Sequence, residues 1–217
     1  MNNLKIEAEK EAQIILNYFK TGDYISAEVK AKKLIKKFPN YLAVYNLLGL
    51  CLQSQKKFSE AMKYYKIAIQ NNPKFFVAIN NLGNTYHAMG DLKNAQSYFE
   101  RAIEINPKFT HAICNLGNIK KDLNNFEEAI KYYKLALSID DKLYIVHHNL
   151  GLAYQAIGKF QVSKKYFESA LKIKPKFTRA DRSLSMPLKY DINNPHLKSM
   201  ESKIKDSSLD NFQKIQL

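Results

Sequence analysis

The segment NNLGNTY, residues 80–86, combines side-chain amides, a glycine and a hydroxyl, which are groups that can hold a phosphate. A phosphate-binding loop, however, needs several glycines clustered before a helix. Neither G-x-G-x-x-G nor G-x-x-x-x-G-K-[ST] occurs in the chain, and the catalytic patterns G-x-S-x-G, H-E-x-x-H and C-x-x-C do not occur either. We therefore expect no catalytic residues and no cofactor.

A metal site is the other chemistry that the residue types suggest. His111 and Cys114 are three residues apart, which places them on one face of a helix, and His148 follows Cys114 by 34 residues. Three such side chains could bind a transition metal if they converged. Polar residues of this kind also occur in a groove that binds no metal, and this is the interpretation that we adopt.

The glycine of NNLGNTY belongs to a repeat with a period of 34 residues. The related segments are NLLGLCL at 46–52, CNLGNIK at 114–120 and HNLGLAY at 148–154. In each segment apolar residues recur at helical spacing, as in Ile79, Leu82 and Tyr86, which predicts one face of a helix. All seven glycines of the chain fall at one of two places in the repeat, so we assign them to close helix contacts and turns.

A second amphipathic stretch follows in every repeat. It begins at Phe58, Leu92, Phe126 and Phe160, and three residues later each stretch has a small residue: Ala61, Ala95, Ala129 and Ser163. Small side chains at that place allow two helices to approach closely. Proline, which cannot continue a helix, follows at Pro39, Pro73, Pro107 and Pro175, with Asp141 in its place in the fourth repeat. Each repeat is therefore predicted to be a helical hairpin.

This pattern closely resembles the tetratricopeptide repeat, a 34-residue helix-turn-helix unit, over residues 8–177 as five repeats. The resemblance implies an all-α fold, a right-handed superhelical solenoid in which the first helix of each repeat lines a concave groove. The first repeat diverges, with Ile15 where later repeats have glycine. We expect residues 178–188 to form a closing helix and residues 189–217 a helical connector or tail, with helix starts at Asn194-Pro195 and Ser208.

The resemblance also implies a function, which is binding of a protein or an extended peptide in the groove. Asn81, Asn115 and Asn149 recur one per repeat, and regularly spaced amides can pair with the backbone of an extended peptide. This asparagine row is similar to the one in the repeat arm of O-GlcNAc transferases. The predicted groove residues are Asn46, Asn80, Asn81, Asn84, His87, His111, Asn115, Asn118, His148 and Asn149. The alternative is that the asparagines only cap or bridge neighbouring helices.

A second functional interpretation stays open. The tail, residues 189–217, resembles the connector that joins the repeats of bacterial tetratricopeptide sulfotransferases to their catalytic domain. On that interpretation the chain is the substrate-recruiting N-terminal arm of a truncated sulfotransferase or glycosyltransferase-like enzyme. In both interpretations we expect no activity from the residues present, because the glycine-rich loop that a sulfonucleotide needs is missing.

The charge of the chain narrows the class of partner. The net charge is +14, but of the 34 basic residues only Arg101, Arg179 and Arg182 are arginine, the residue that binds phosphate and guanine bidentately. We therefore expect a protein or peptide partner and no nucleic acid. The groove places held by Asn46 and His148 also lack the cations of a dicarboxylate clamp, and lysines such as Lys32, Lys131 and Lys164 fall on second helices.

The remaining composition indicates a cellular compartment. Two cysteines, Cys51 and Cys114, are too few for a disulfide framework, which suits a reducing environment. The first residues are charged where a signal peptide is apolar, and no apolar run is long enough to span a membrane. The sequence thus predicts a cytoplasmic protein that does not associate with membranes.

Overall fold

The computed structural model describes residues 2–186 and 194–217, with side chains from residue 6 onward. The chain divides into two compact units, Met1–Ala112 and Ile113–Leu217. The end of the predicted closing helix, residues 187–188, and the first part of the predicted connector, residues 189–193, lie outside the described residues.

The described residues form thirteen α-helices and no strand, so the predicted all-α class is confirmed. The first helices of the successive pairs are α1 (Asn2–Lys20), α3 (Leu42–Ser54), α5 (Phe76–Ala88), α7 (Thr110–Asp122), α9 (Tyr144–Ala156) and α11 (Thr178–Ser185). The second helices are α2 (Tyr24–Lys37), α4 (Phe58–Asn71), α6 (Leu92–Ile105), α8 (Phe126–Ile139), α10 (Phe160–Ile173) and α12 (Pro195–Ile204), and α13 (Asn211–Ile215) follows them.

The turn inside each of the first five hairpins contains one residue with a left-handed backbone. These residues are spaced 34 apart: Gly22 (φ +81°), Lys56 (φ +60°), Gly90 (φ +81°), Asn124 (φ +56°) and Gly158 (φ +74°). Glycine adopts this conformation at little cost, asparagine tolerates it and lysine rarely adopts it. The backbone of the turn therefore keeps its period even where Lys56 and Asn124 stand in place of glycine.

The two helices of repeats two to five meet where a glycine lies against an aromatic ring. The contacts join Gly49 to Tyr65, Gly83 to Phe99, Gly117 to Tyr133 and Gly151 to Phe167. A Cβ atom at Gly83 would lie 2.7 Å from the ring of Phe99, and one at Gly117 would lie 2.6 Å from the ring of Tyr133. All four rings are fully buried, so they have no space into which to move. Only glycine fits at this place, as the repeat pattern predicts.

A buried carboxylate joins the first hairpin to the second. Glu28 on α2 accepts hydrogen bonds from Gln55 Nε2 (2.8 Å), from Lys57 Nζ (3.0 Å) and from Lys32. Burial by itself raises the pKa of this carboxyl, but the three donors outweigh burial and hold the pKa at about 2. Glu28 is therefore charged at neutral pH and anchors α2 to the turn between α3 and α4.

The C-terminal helices keep the spacing of the repeat after its sequence pattern has faded. Leu184 on α11 is buried 34 residues after the buried Leu150 on α9, and α12 begins 35 residues after α10 begins. The start of α12 is confirmed, because the side chain of Asn194 accepts a hydrogen bond of 2.9 Å from the backbone N–H of His196, with Pro195 in the first turn.

The predicted helix cap at Ser208 is wrong. Helix α13 is capped by Asp210, whose carboxylate accepts from the backbone N–H of Gln213 at 2.7 Å, while the side chain of Gln213 accepts from the backbone N–H of Asp210. Asp210 immediately precedes the helix, which suits a reciprocal capping box, whereas the hydroxyl of Ser208 accepts a hydrogen bond from Lys176.

Replacing Gly117 with leucine tests the close approach of α7 to α8. We expect the free energy of unfolding to fall by about 1–3 kcal/mol, because the new side chain overlaps the ring of Tyr133, which is buried and cannot turn away. Urea unfolding followed by circular dichroism measures this change. Ala156→Leu, which adds the same side chain at an exposed place on α9, is the control. Equal stability of the two variants would contradict the assignment.

Candidate functional site

The predicted groove residues lie on one side of the first helices. On α5 the residues Val77, Asn81 and Asn84 follow the spacing i, i+4 and i+7, and on α9 Ile145 and Asn149 occupy the first two of the same places. We call this side of each first helix the amide face: Asn81 and Asn84 on α5, Asn115 and Asn118 on α7, and Asn149 on α9.

In the N-terminal unit the amides connect neighbouring repeats. The Nδ2 atom of Asn81 on α5 donates to the Oδ1 atom of Asn46 on α3 at 2.9 Å. Asn80 Nδ2 lies 3.4 Å from Asn81 Oδ1. Asn46 is only 7% exposed and Asn81 only 8% exposed, so both amides are withdrawn from water. Their hydrogen bond therefore fixes α5 against α3.

The C-terminal unit repeats this connection with other residue types. His148 Nε2 on α9 lies 3.0 Å from the hydroxyl of Ser183 on α11, and these residues are 35 apart, as Asn46 and Asn81 are. Asn149 Nδ2 also donates to Asn118 Oδ1 at 3.1 Å, and that oxygen accepts a second hydrogen bond, of 2.8 Å, from the hydroxyl of Tyr133. A polar residue of one first helix thus reaches a polar residue of the next.

The ten predicted residues divide by exposure. Asn46, Asn80, Asn81 and His148 are buried, Asn84, His87, Asn115, Asn118 and Asn149 are half-buried, and His111 is exposed. The sequence left open whether the asparagines bind a ligand or bridge helices. The contacts Asn46–Asn81 and Asn118–Asn149 are bridges between repeats, and the half-buried and exposed residues also keep part of their surface in contact with solvent.

His148 is a neutral side chain in the folded protein. Burial lowers its pKa to about 4, and its ring lies against Phe167 and Phe177, with centroids 5.5 Å and 5.2 Å away. At neutral pH the imidazole therefore carries no charge that could attract an anion. Its contribution is a hydrogen bond to Ser183 inside an aromatic cluster.

One cluster of ionisable residues could not be recognised from the sequence. Asp181 on α11 is fully buried, and its carboxylate contacts His196 Nε2 at 3.0 Å and Lys203 Nζ at 2.7 Å, both from α12. A carboxylate that orients an imidazole also occurs in catalytic triads. Here an ammonium group contacts the same carboxylate, so the cluster is an ion pair that links α12 to α11. The sequence gives one indication that Asp181 is buried: it lies 68 residues, or two repeat periods, after the buried Ile113.

Other chemistry finds little support among the described residues. In residues 2–186 and 194–217, no three His, Cys, Asp or Glu side chains lie close enough together to hold a metal ion. Burial raises the pKa of the Cys51 thiol to about 11 and of the Cys114 thiol to about 12, which leaves both protonated at neutral pH. None of the described helices combines the length and the apolar character that crossing a membrane requires.

Replacing Asn81 with alanine tests the bridge between α3 and α5. The variant leaves the buried Asn46 without its donor, so we expect the free energy of unfolding to fall by about 1–3 kcal/mol. The double variant Asn46→Ala/Asn81→Ala should lower the free energy of unfolding by less than the two single variants together, because it leaves no unpaired amide between α3 and α5. Asn71→Ala, at an exposed amide bonded only within α4, is the control. If Asn81→Ala is as stable as this control, the bridge contributes nothing.

The burial of His148 predicts a loss of stability in acid. Its pKa falls from 6.5 to about 4 on folding, so the unfolded chain takes up the proton first, and stability decreases as the pH is lowered through that window. Asparagine occupies this place at Asn46 and Asn80 and does not titrate. Between pH 7 and 4 the free energy of unfolding of His148→Asn should therefore fall by on the order of 2–3 kcal/mol less than that of the natural chain. His111→Asn, at an exposed ring, serves as the control in the same unfolding series, and identical pH profiles for all three proteins would refute the role of His148.

Comparison with known families agrees with this architecture. A sequence model described as tetratricopeptide repeat matches residues 43–75 and 76–109, and a second model with the same description matches residues 109–176. Together they account for more than half of the chain. No curated protein sequence matches the chain significantly.

Several solved structures share the fold. A thermophilic repeat protein of Thermus thermophilus, TTC0263, is 18% identical with a TM-score of 0.74, and the match covers 82% of this chain and 98% of that one. PilF of Pseudomonas aeruginosa is 15% identical with a TM-score of 0.73, over 83% of this chain and 82% of that one. A tetratricopeptide repeat protein of Parabacteroides merdae is 19% identical with a TM-score of 0.65, over 90% of this chain and 78% of that one.

At these identities the solved structures carry information on the fold alone. These structures do not show a similarity to the repeat arms of O-GlcNAc transferases or sulfotransferases. The family models, the period of 34 residues and the recurring contact between a glycine and a buried ring lead to one conclusion. The chain belongs to the tetratricopeptide repeat family.

Proposed function

We propose that the chain is a non-catalytic binding module that holds an extended segment of a partner protein along the amide faces of α7 and α9. The observation that carries this proposal is the orientation of the half-buried amides. Asn118 Oδ1 accepts hydrogen bonds from both Asn149 and Tyr133. An amide held in this way presents its NH2 group in a fixed direction before any ligand arrives, which lowers the entropic cost of binding.

Primary amides suit the backbone of an extended peptide. Each offers two N–H donors and one carbonyl acceptor, and the peptide backbone offers the complementary groups at regular intervals. Asn149 uses one of its two N–H groups on Asn118, and its side chain is half-buried, so its second N–H group is the donor that we assign to the ligand. Because backbone groups are the same for every residue, recognition of this kind depends little on the sequence of the partner.

An apolar side chain adds a means of discrimination. Ile145 is 52% exposed on α9, one helical turn before Asn149, where it can contact a side chain of the bound segment. A neutral amide beside an exposed aliphatic group favours an uncharged stretch of polypeptide. It offers little to a nucleic acid, whose affinity comes mainly from neutralised phosphates and falls steeply with salt. No observation favours the alternative of a recruiting arm for a transferase.

The proposal can be tested with peptides selected from a displayed library of random 12-residue sequences, panned on the full chain. Calorimetry then compares the natural chain with Ile145→Glu. A charge introduced into a contact that excludes water should weaken binding by about 1–3 kcal/mol, which is roughly a 5- to 150-fold rise in Kd. Leu135→Glu on α8 is the matched control, because Leu135 is 48% exposed on a second helix.

Two results would contradict the proposal. One is that no peptide is enriched over an empty support. The other is that the enriched peptides bind Ile145→Glu and Leu135→Glu equally well.

The salt dependence of binding separates a peptide partner from a nucleic acid. The affinity for the enriched peptides should change little between 50 and 200 mM salt. A DNA or RNA oligonucleotide whose affinity falls by several orders of magnitude over the same range would indicate a nucleic-acid binder instead.

A further inference from the structure

The outer side of the first hairpin carries an apolar patch formed by Tyr18, Ile25 and Val29. Ile25 is 70% exposed and Val29 is 50% exposed, both on α2, and Tyr18 on α1 is also exposed. With Ser26, Lys30 and Lys33 these residues line a depression of about 310 Å³. The patch lies mainly on α2, with Tyr18 of α1 beside it, and contains no residue of the amide faces of α5, α7 and α9.

The other repeats of the same chain act as an internal control for this patch. The residues that correspond to Ile25 are Ser59, Lys93, Glu127 and Gln161, and those that correspond to Val29 are Lys63, Ser97, Lys131 and Lys165. All eight are polar and exposed. The fold therefore does not require apolar residues at these two places. Each of repeats two to five follows another repeat in the chain, and both places are exposed in all four of them. Packing of one repeat against the next therefore does not bury these places.

The surroundings of the patch are cationic. Helix α2 contains five lysines and one acidic residue, Glu28, which is buried and already bonded to Lys32 and Lys57. Lys30 pairs with Glu11 at 3.2 Å, but Lys33 and Lys36 form no ion pair with any described residue. An apolar surface bordered by unpaired lysines is complementary to an apolar surface bordered by carboxylates.

We propose that this patch docks an acidic amphipathic helix of a partner protein. Ile25, Val29 and Lys33 follow one another at intervals of four residues and extend about 12 Å along α2. A partner helix matches such a line with apolar residues at i, i+3 or i+4 and i+7, and with Asp or Glu beside the lysines. The described residues contain no sheet edge to which an extended chain could add.

A displayed library of random 16-residue peptides provides the probe. It is panned on the full chain and counter-selected on the variant Ile25→Ser/Val29→Ser, which introduces the residue that repeats two and three use at these places, Ser59 and Ser97. We expect enriched peptides with apolar residues at helical spacing and an excess of Asp and Glu. Their Kd should rise at least 10-fold on the double serine variant, and about 3-fold or more on Lys33→Gln/Lys36→Gln at low salt.

Two comparisons separate this site from a merely adhesive surface. Lys93→Ile/Ser97→Val creates an equivalent apolar pair on α6, and combining it with Ile25→Ser/Val29→Ser should not restore binding. The double serine variant should melt at or above the temperature of the natural chain, because it removes only exposed apolar groups. Peptides that fail to distinguish the serine variant would overturn the proposal. So would vesicles of phosphatidylcholine and phosphatidylserine that bind the chain through Ile25 and Val29, since this outcome identifies a membrane surface.

Discussion

The contact between a glycine of one helix and a buried aromatic ring of its partner is the constraint on which the repeats depend. At Gly117 even a methyl group would overlap the ring of Tyr133. In repeats two to five this closeness sets the distance and the rotation of the two helices of the hairpin. The contact recurs every 34 residues, so each first helix of repeats two to five turns the same repeat position toward its own second helix.

Polar contacts between repeats follow from that period. Asn46 contacts Asn81 in the N-terminal unit and His148 contacts Ser183 in the C-terminal unit, and the residues of both pairs are 35 apart in the sequence. These contacts also explain how one set of amides can be both structural and functional. A hydrogen bond to the neighbouring repeat uses part of the capacity of an amide and orients the remainder, so stability and recognition share the same side chains.

Much of the fold could be predicted from the sequence, whereas the burial and the hydrogen-bond partners of the individual polar residues could not. Spacing identifies which residues share a helix face, so the hairpins and the contact at Gly117 were predictable. Spacing does not reveal what covers that face, so Asn81 was expected in an open groove and is instead buried against Asn46. Asp181 illustrates the same limit, because its charge is satisfied by His196 and Lys203, which come from a segment whose sequence no longer follows the repeat.

The side-chain amide resonances of asparagine provide the most direct test of the amide faces. In the 15N-labelled chain, titration with a peptide whose binding depends on Ile145 is predicted to shift the NH2 signals of Asn115, Asn118 and Asn149. The signals of Asn71 and Asn94, which are exposed on second helices, should stay in place. Shifts confined to Asn71 and Asn94, with the signals of Asn118 and Asn149 unchanged at saturation, would contradict the account.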